Sequence, residues 1–171
     1  DTKQGFNGSI LANVGSAGRY NAGVNLNYGI RNMNFYGGYT YRRDRYDRTV
    51  DDYRISPADT ITQTTYGLGR PVSHTFRLGM TANITAVDML SVSGNYNRRN
   101  FKRDEYVDSR TRDLNGIVSD SYHRDRDADA KENMWEGSLQ YTHRYGNSNE
   151  ISIGYIYSSE SEDELNRYTT M

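Results

Sequence analysis

The sequence contains no cysteine, which excludes disulfide bonds, thiol chemistry and metal sites built on thiolates. It also has no long hydrophobic run: no window approaches the ~20 apolar residues that a membrane-spanning helix needs. The sequence also has no excess of either charge, because it contains 21 basic and 22 acidic residues and has a net charge of −1. This balance gives no sign of a nucleic-acid or polyanion partner.

Aliphatic residues are scarce for a chain of 171 residues. Only 35% of the sequence is hydrophobic, and the mean hydropathy is −0.93. So few apolar side chains cannot fill the interior of a compact globule of this length. Disorder does not follow, because disordered chains are poor in aromatics and this one has 16 tyrosines. The opening residues DTKQGF are those of a cut end, so we expect a piece of a longer protein.

What the sequence has is alternation of apolar and polar residues with period two, the pattern of β-strands. Phe76, Leu78 and Met80, for example, alternate with Arg77 and Gly79. The pattern predicts an all-β fold, an antiparallel up-and-down meander of about seven amphipathic strands within one domain, 1–171. The expected strands are approximately 5–15, 19–29, 33–46, 72–85, 89–105, 131–145 and 149–159.

The predicted connections differ on the two ends of these strands. Tight turns are expected at 29–33, 85–89 and 145–150, where sequences such as GIRN and GNSN carry turn residues. On the other end, long polar loops are expected at about 46–70 and 106–130, with a third beginning after Ser158. Only the connection near 16–19 is short on that end.

Two kinds of protein fit such a row of strands: a soluble sandwich with its apolar faces inward, and part of a transmembrane β-barrel of the bacterial outer membrane. The ~10-residue strands, the asymmetry of the loops and the placement of aromatics favour the barrel. Aromatics of the apolar face fall near the strand ends, as expected at a lipid–water interface. The predicted interface aromatics are Tyr20, Tyr28, Phe35, Tyr41, Phe76, Tyr96, Trp135, Tyr141 and Tyr157.

Seven strands cannot close a bacterial barrel by themselves, because single-chain barrels there have even strand numbers. The open edges that remain are not tolerated in lipid. We therefore expect outer-membrane lipid and the remainder of its own barrel as partners. The polar face, rich in Asn, Ser, Thr and Gly, suits a wide, hydrated lumen. Arg77 and Glu136 are its charged exceptions.

The stretch DTKQGFNGSILANVGSAGRYNAGVNLNYGIRNMNFYGGYTYRRDRY resembles the start of the barrel in TonB-dependent-receptor-like outer-membrane proteins of Bacteroides-type bacteria. The resemblance is closest over residues 5–46, where GFNGS, YN-G-NLNY and NFYG-Y-YR match. It implies the first third of a 22-stranded barrel, preceded by a plug and an energy-coupling segment, with a periplasmic energy-coupling protein as a further partner.

Motifs for chemistry are weak, and we expect neither an enzyme nor a cofactor. The histidines 74, 123 and 143 have no nucleophile spacing beside them. A calcium-loop pattern places Asp125, Asp127, Asp129 and Glu136 at positions 1, 3, 5 and 12, but Ala130 replaces the glycine of position 6, so a solvated charged loop is favoured. Possible ligand contacts, where the third expected strand leads into the first long loop, are Arg42, Arg43, Arg45 and Tyr46.

The functional expectation is a segment of an outer-membrane receptor or transporter barrel that admits a bulky polar solute. Two alternatives remain open. One is a structural or adhesive surface protein that binds a partner without transport, and the other is a soluble, secreted β-rich module.

Overall fold

The structure is a computed structural model that describes residues 5–146 and 149–171. Strands hold 88% of the described residues, which form no α-helix. The strands are β1 (Gly5–Gly15), β2 (Arg19–Ile30), β3 (Met33–Arg43), β4 (Tyr46–Ile55), β5 (Asp59–Asn83), β6 (Asp88–Asp113), β7 (Val118–Tyr145) and β8 (Asn149–Thr170), with a 3-10 turn at Ser16–Gly18.

The expected antiparallel meander is confirmed, with one strand more than the seven predicted. The order in the sheet is β1-β2-β3-β5-β6-β7-β8, and β4 pairs with β5. Within the described residues the sheet does not close into a barrel, so β1 and β8 are its two ends. Contacts divide the described residues into two units: unit 1 has 5–43, 72–99, 132–146 and 149–162, and unit 2 has 44–71, 100–131 and 163–171.

In unit 1 the cross-strand register sorts the side chains by polarity. One row runs Ile10–Val24–Tyr39–Phe76 across β1, β2, β3 and β5. The next row, one residue along each strand and therefore on the opposite face, runs Ser9–Asn25–Gly38–Arg77. The period-two pattern in the sequence thus corresponds to one apolar and one polar face.

Two of the three tight turns lie within the described residues. β2 ends at Ile30 and β3 begins at Met33, with Arg31 at a φ of 50°. β5 and β6 are joined by 84–87, where Thr85 Oγ1 accepts hydrogen bonds from the backbone N–H groups of Val87 and Asp88 at 3.2 and 3.0 Å. The third turn includes residues 147 and 148, which lie outside the described residues.

The prediction of long loops at 46–70 and 106–130, and of a third after Ser158, is wrong. These segments are the strand β4, the extended portions of β5, β6 and β7, and the continuation of β8 to Thr170. The connections that remain are short: 56–58 joins β4 to β5, and 114–117 joins β6 to β7. At the second of these, Asp113 Oδ1 accepts hydrogen bonds from the backbone N–H groups of Asn115 and Ile117 at 2.9 and 2.8 Å.

Cross-strand ion pairs explain why charged segments form strands in unit 2. Arg126 of β7 donates to Glu105 of β6 at 3.0 Å, and to Glu164 and Asn166 of β8 at 3.3 and 3.0 Å. Its guanidinium also lies 5.8 Å from the centre of the Tyr168 ring. Opposite charges on neighbouring strands stabilise a sheet as apolar pairs do. Strands held together in this way show no alternation of apolar and polar residues in the sequence.

A proline explains the break between β3 and β4. Asp44 N–H donates to the carbonyl of Pro71 at 2.9 Å. In an antiparallel hydrogen-bonded pair, the two residues exchange two such bonds. Pro71 has no N–H to return, so the ladder along β5 opens here and resumes where Tyr46 pairs with Gly69.

Neither unit has a core of large side chains. The buried hydrophobic residues are Val107 and three alanines, and no side chain of the described residues is less than 2% exposed. Large apolar residues of unit 1 are instead exposed: Ile10 is 85% and Leu78 is 71% accessible. A single layer of strands therefore leaves its apolar face uncovered.

Candidate functional site

The polar face of unit 1 carries a groove of about 440 Å³ that is the leading candidate for ligand contact. The glycine at position 38 leaves the space that the Asn25 side chain occupies on the floor, because an added Cβ there would come within 2.6 Å of Asn25 Oδ1. Asn25 Nδ2 lies 3.5 Å from Ser9 Oγ, so the amide is tied to the next strand. The groove is lined by amides, a phenol and one guanidinium, from Asn7, Asn25, Asn27, Tyr36 and Arg77.

Arg77 and Glu136, the charged exceptions predicted from the sequence, fall in one row of this face. Asn97 Nδ2 donates to Thr75 Oγ1 at 3.4 Å, and Ile84 N–H donates to the Asp88 carbonyl at 2.8 Å; both agree with a register of β5 and β6 that sets Asn95 opposite Arg77. The hydroxyls of Ser93 and Ser138, 2.7 Å apart, likewise set Asn95 opposite Glu136. The Cα atoms of Arg77 and Glu136 are thus on either side of β6, about 10 Å apart by strand spacing.

Asn95, between the two charges, was not predicted as a site residue. Its Oδ1 is buried and accepts no hydrogen bond from the described residues. Buried polar atoms without a partner are uncommon and destabilising. The guanidinium donor and the carboxylate acceptor on this face can bind a ligand that has hydroxyl or amide groups, whereas the Asn95 oxygen between them is shielded from solvent.

The apolar face of unit 1 carries a ladder of aromatic rings. Ring centres are 4.7 Å apart for Tyr39 and Phe76, 6.2 Å for Phe76 and Tyr96, and 4.1 Å for Tyr96 and Trp135. Three of the predicted interface aromatics, Phe76, Tyr96 and Trp135, therefore stack in succession on neighbouring strands. Tyr39 was not among the predicted interface aromatics, although it lies on the same face of β3 as Tyr41.

The other predicted interface aromatics are placed singly or in pairs. Tyr28 is opposite Phe35 in the register of β2 and β3, and Tyr41 lies 5.3 Å from the His74 ring. Tyr141 OH donates to Asp88 Oδ1 at 2.6 Å. Tyr20 and Tyr157 are exposed at 45% and 57%.

The predicted loop contacts do not form one ligand-binding cluster. Arg42 and Arg43 are consecutive residues of β3 and therefore point to opposite faces. Arg45 lies 3.8 Å from Asp47. Tyr46 is the first residue of β4, and its ring covers Gly69 and lies 6.2 Å from the Phe101 ring. The prediction assumed that these residues lie in a loop, whereas consecutive side chains of a strand point to opposite faces.

The calcium-loop pattern is contradicted by the backbone. Asp125, Asp127 and Asp129 lie on the strand β7, where residues two apart are about 7 Å apart along the chain. Glu136 lies further along the same strand. No group of three His, Cys, Asp or Glu in the described part of the chain could hold a metal ion.

Each histidine has a hydrogen-bond partner on a neighbouring strand or at a turn. His74 Nδ1 lies 2.8 Å from Tyr39 OH, and His123 Nδ1 lies 2.9 Å from Tyr106 OH. His143 Nδ1 lies 2.7 Å from Asp88 Oδ1. The predicted absence of catalysis is untested by these contacts and stays a prediction.

Asp88, at the turn between β5 and β6, is a strongly hydrogen-bonded carboxylate. Thr85 Oγ1 donates to its Oδ2 at 2.5 Å, and Tyr141 and His143 reach its Oδ1. These hydrogen bonds, that of Thr85 foremost, lower the pKa of Asp88 from 3.8 to about 2. The carboxylate therefore fastens the turn to β7 while it is ionised.

Unit 2 has a groove of its own, of about 450 Å³, beside Tyr66 and Tyr106, whose ring centres are 6.3 Å apart. Carboxylates line it, and most are already paired. Asp104 binds Arg70, and Asp127 lies 3.9 Å from Arg167. These pairs hold the strands together, so this groove is a weaker candidate than the groove beside Arg77.

Known proteins give no family for this chain. No family model matches it, and no curated protein is similar enough to match. The resemblance to TonB-dependent-receptor-like barrels therefore stays a prediction. Among the described residues, no helix is long and apolar enough to cross a membrane.

Proposed function

We propose that the chain is part of an outer-membrane β-barrel, of the kind found in TonB-dependent-receptor-like proteins, that admits a bulky polar solute. One observation carries the proposal: a single layer of strands in unit 1 has an exposed apolar face opposite a face of amides and hydroxyls. Leu78, 71% exposed, stands next to Arg77, and the two point to opposite faces. Lipid against the apolar face and water against the polar face would give each face a favourable environment.

The aromatic ladder from Tyr39 to Trp135 supports the same proposal. Phenol and indole rings combine an apolar body with a polar group, and they are enriched where hydrocarbon meets headgroups. Tyr96 OH donates to Asn133 Oδ1 at 3.0 Å, so the ladder already has its polar partners at one edge. We propose the bacterial outer membrane as its location.

The solute we propose is uncharged overall and rich in hydroxyl or amide groups, such as an oligosaccharide or a peptide. The groove beside Arg77 offers many neutral amides and few charges. The carboxylate of Glu136 and the guanidinium of Arg77 have opposite signs, so they orient a ligand without selecting one net charge. The plug and the energy-coupling partner belong to the proposal only through the resemblance.

Outer-membrane membership is testable in the source cells with an antibody to residues 46–70. Membranes are separated by density, and the outer-membrane fraction is run on gels with and without boiling. We expect the antibody to label this fraction, with a mobility that changes on boiling, because folded barrels resist detergent until heated. A band in the soluble fraction, indifferent to boiling, would mean that the apolar face is covered by protein.

An adhesive surface protein is the second candidate, and unit 2 favours it. Its strands carry arginines and carboxylates on both faces, and Tyr66 is 51% exposed. A surface of this kind binds a partner without any transport. Deleting residues 47–68 would then abolish attachment of cells to that partner and leave the uptake of polar solutes unchanged, whereas a transporter would show altered uptake.

A further inference from the structure

Two arginines on the apolar face of unit 1 have no partner. Arg43 and Arg98 are exposed and make no ion pair or hydrogen bond with the described residues. The arginine next in sequence, Arg99, points to the other face and lies 3.5 Å from Glu132.

The register places the two arginines on either side of β5. Arg43 is opposite Val72, and Tyr41 is opposite His74. The Asn97–Thr75 hydrogen bond sets Arg98 opposite His74 from the other side. Two strand spacings and two residues separate the arginines, about 12 Å between their Cα atoms. Both side chains are long enough to reach a common group above His74.

The apolar face supplies no negative charge near these arginines. In unit 1 the described glutamates have the parity of the polar face, and Asp88 is at the turn end of the strands, opposite the end where β3 reaches Arg43. Next to the arginines lie the rings of Tyr41, Tyr96 and Trp135. The glutamates concerned are Glu132, Glu136, Glu150, Glu160 and Glu162.

Guanidinium groups beside an aromatic band can bind an anion that reaches them from the lipid side. The planar guanidinium binds phosphate through two parallel hydrogen bonds. Arginine in hydrocarbon is costly, whereas at the headgroup level it gains from anionic lipid. Unpaired cations bordering an apolar face therefore match a phosphate attached to an acyl chain better than a phosphate dissolved in water.

We propose that Arg43 and Arg98 bind the phosphate of an anionic lipid, with its acyl chains along the aromatic ladder. The proposal rests on the proposed function, because it requires the apolar face to meet lipid. His74, held at Nδ1 by Tyr39, is the floor of this site. The partner is a phosphorylated amphiphile in the membrane leaflet around β3, β5 and β6.

Trp135, the only tryptophan of the chain, is a built-in probe because it packs 4.1 Å from Tyr96 in the ladder. The full chain is refolded into vesicles of phosphatidylcholine containing a minor fraction of phosphatidylglycerol. In one sample the phosphatidylcholine has brominated acyl chains, and in the other the phosphatidylglycerol has them. Bromine quenches tryptophan fluorescence only on contact, so the ratio of the two signals measures which lipid occupies the site.

The wild-type chain should show quenching by phosphatidylglycerol above its share of the vesicle, by about fivefold or more. The variant R43Q/R98Q should lose this preference and keep the quenching by phosphatidylcholine. A matched control, R31Q/R144Q, removes two positive charges at the turn end of the strands and should retain the preference. Inorganic phosphate at millimolar concentration should not displace the lipid.

The outcomes separate the two proposals. Quenching by both lipids in proportion to their amounts would overturn the lipid site and leave the membrane proposal intact. No quenching by either lipid, in vesicles where circular dichroism shows that the β-sheet has formed, would overturn both. Equal loss in R43Q/R98Q and R31Q/R144Q would mean a general charge effect without a site, and displacement by inorganic phosphate would mean that a free anion binds there.

Discussion

At the scale of single residues, tyrosine rings cover bare backbone at glycines in both units. Tyr36 of β3 lies over Gly79 of β5, its partner in the register, and Tyr46 lies over Gly69 in the same way. A ring laid on the peptide plane shields a glycine that has no side chain of its own, and such pairs fix the register of two strands. The glycines are therefore needed for the space that they leave.

The variant Gly79→Ala should destabilise the fold, because its Cβ would overlap the Tyr36 ring and drive it off the backbone. We expect a loss of about 1–2 kcal/mol in the free energy of unfolding, measured from the urea midpoint of the chain refolded in micelles. Gly137→Ala is the matched control, since the nearest atom to its Cβ would be 4.0 Å away. Equal stability of the two variants would contradict this role for Tyr36.

The turn carboxylate Asp88 should make stability depend on pH in the acid range. Its folded-state pKa of about 2 lies below the ordinary 3.8. Its contribution is therefore complete above about pH 4 and is lost as the pH falls toward 2. Asp88→Asn should flatten this part of the stability profile, whereas Asp120→Asn, which removes an exposed carboxylate without a partner among the described residues, should leave it unchanged. An identical acid response in both variants would contradict the assignment.

At the scale of strands, the sequence was sufficient wherever apolar residues alternate. The faces of β1, β2, β3 and the unit 1 portion of β5 follow directly from period two, and the register confirms them. The sequence was not sufficient to predict strands where the segments are charged and lack apolar alternation. Residues 46–70 and 106–130 looked like loops because their stabilising pairs, such as Arg126 with Glu105, form only after the strands are side by side.

The sequence predicted the two charged residues of the candidate site, but it did not predict the asparagine between them. Arg77 and Glu136 are conspicuous on a face of amides, so the sequence alone singled them out. Asn95 is one of many asparagines, and nothing in the sequence marks it. Only the pairing of β6 with β5 and β7 shows that it lies between the two charges with its Oδ1 unpartnered.

Strand β5 gives a direct test of which face meets lipid. In a bilayer, Leu78→Arg should destabilise the inserted chain by about 2–4 kcal/mol, because it places a charge in hydrocarbon. Thr75→Arg, on the polar face of the same strand, should cost less than about 1 kcal/mol. Both are measured as folding free energies in vesicles. If Leu78→Arg were neutral, its 71% exposure would be exposure to water.

At the scale of the whole chain, the sheet has two ends and an uncovered apolar face. β1 and β8 each have one neighbour, so each presents a row of unpaired backbone groups on the other side. In hydrocarbon these groups must be paired, and further strands of the same barrel or of another chain would pair them. The central claim is that the apolar face of unit 1 contacts lipid while the polar face contacts water.

Cysteine scanning along β5 tests that claim most directly, because the chain has no cysteine and every introduced thiol is unique. Single cysteines at positions 75 to 80 carry a spin label, and collisions with oxygen and with a water-soluble nickel complex are measured in vesicles. We predict an alternation: oxygen reaches labels at 76, 78 and 80, and nickel reaches labels at 75, 77 and 79. Low access of both reagents at 76, 78 and 80 would mean that protein covers the apolar face, and the membrane account would be wrong.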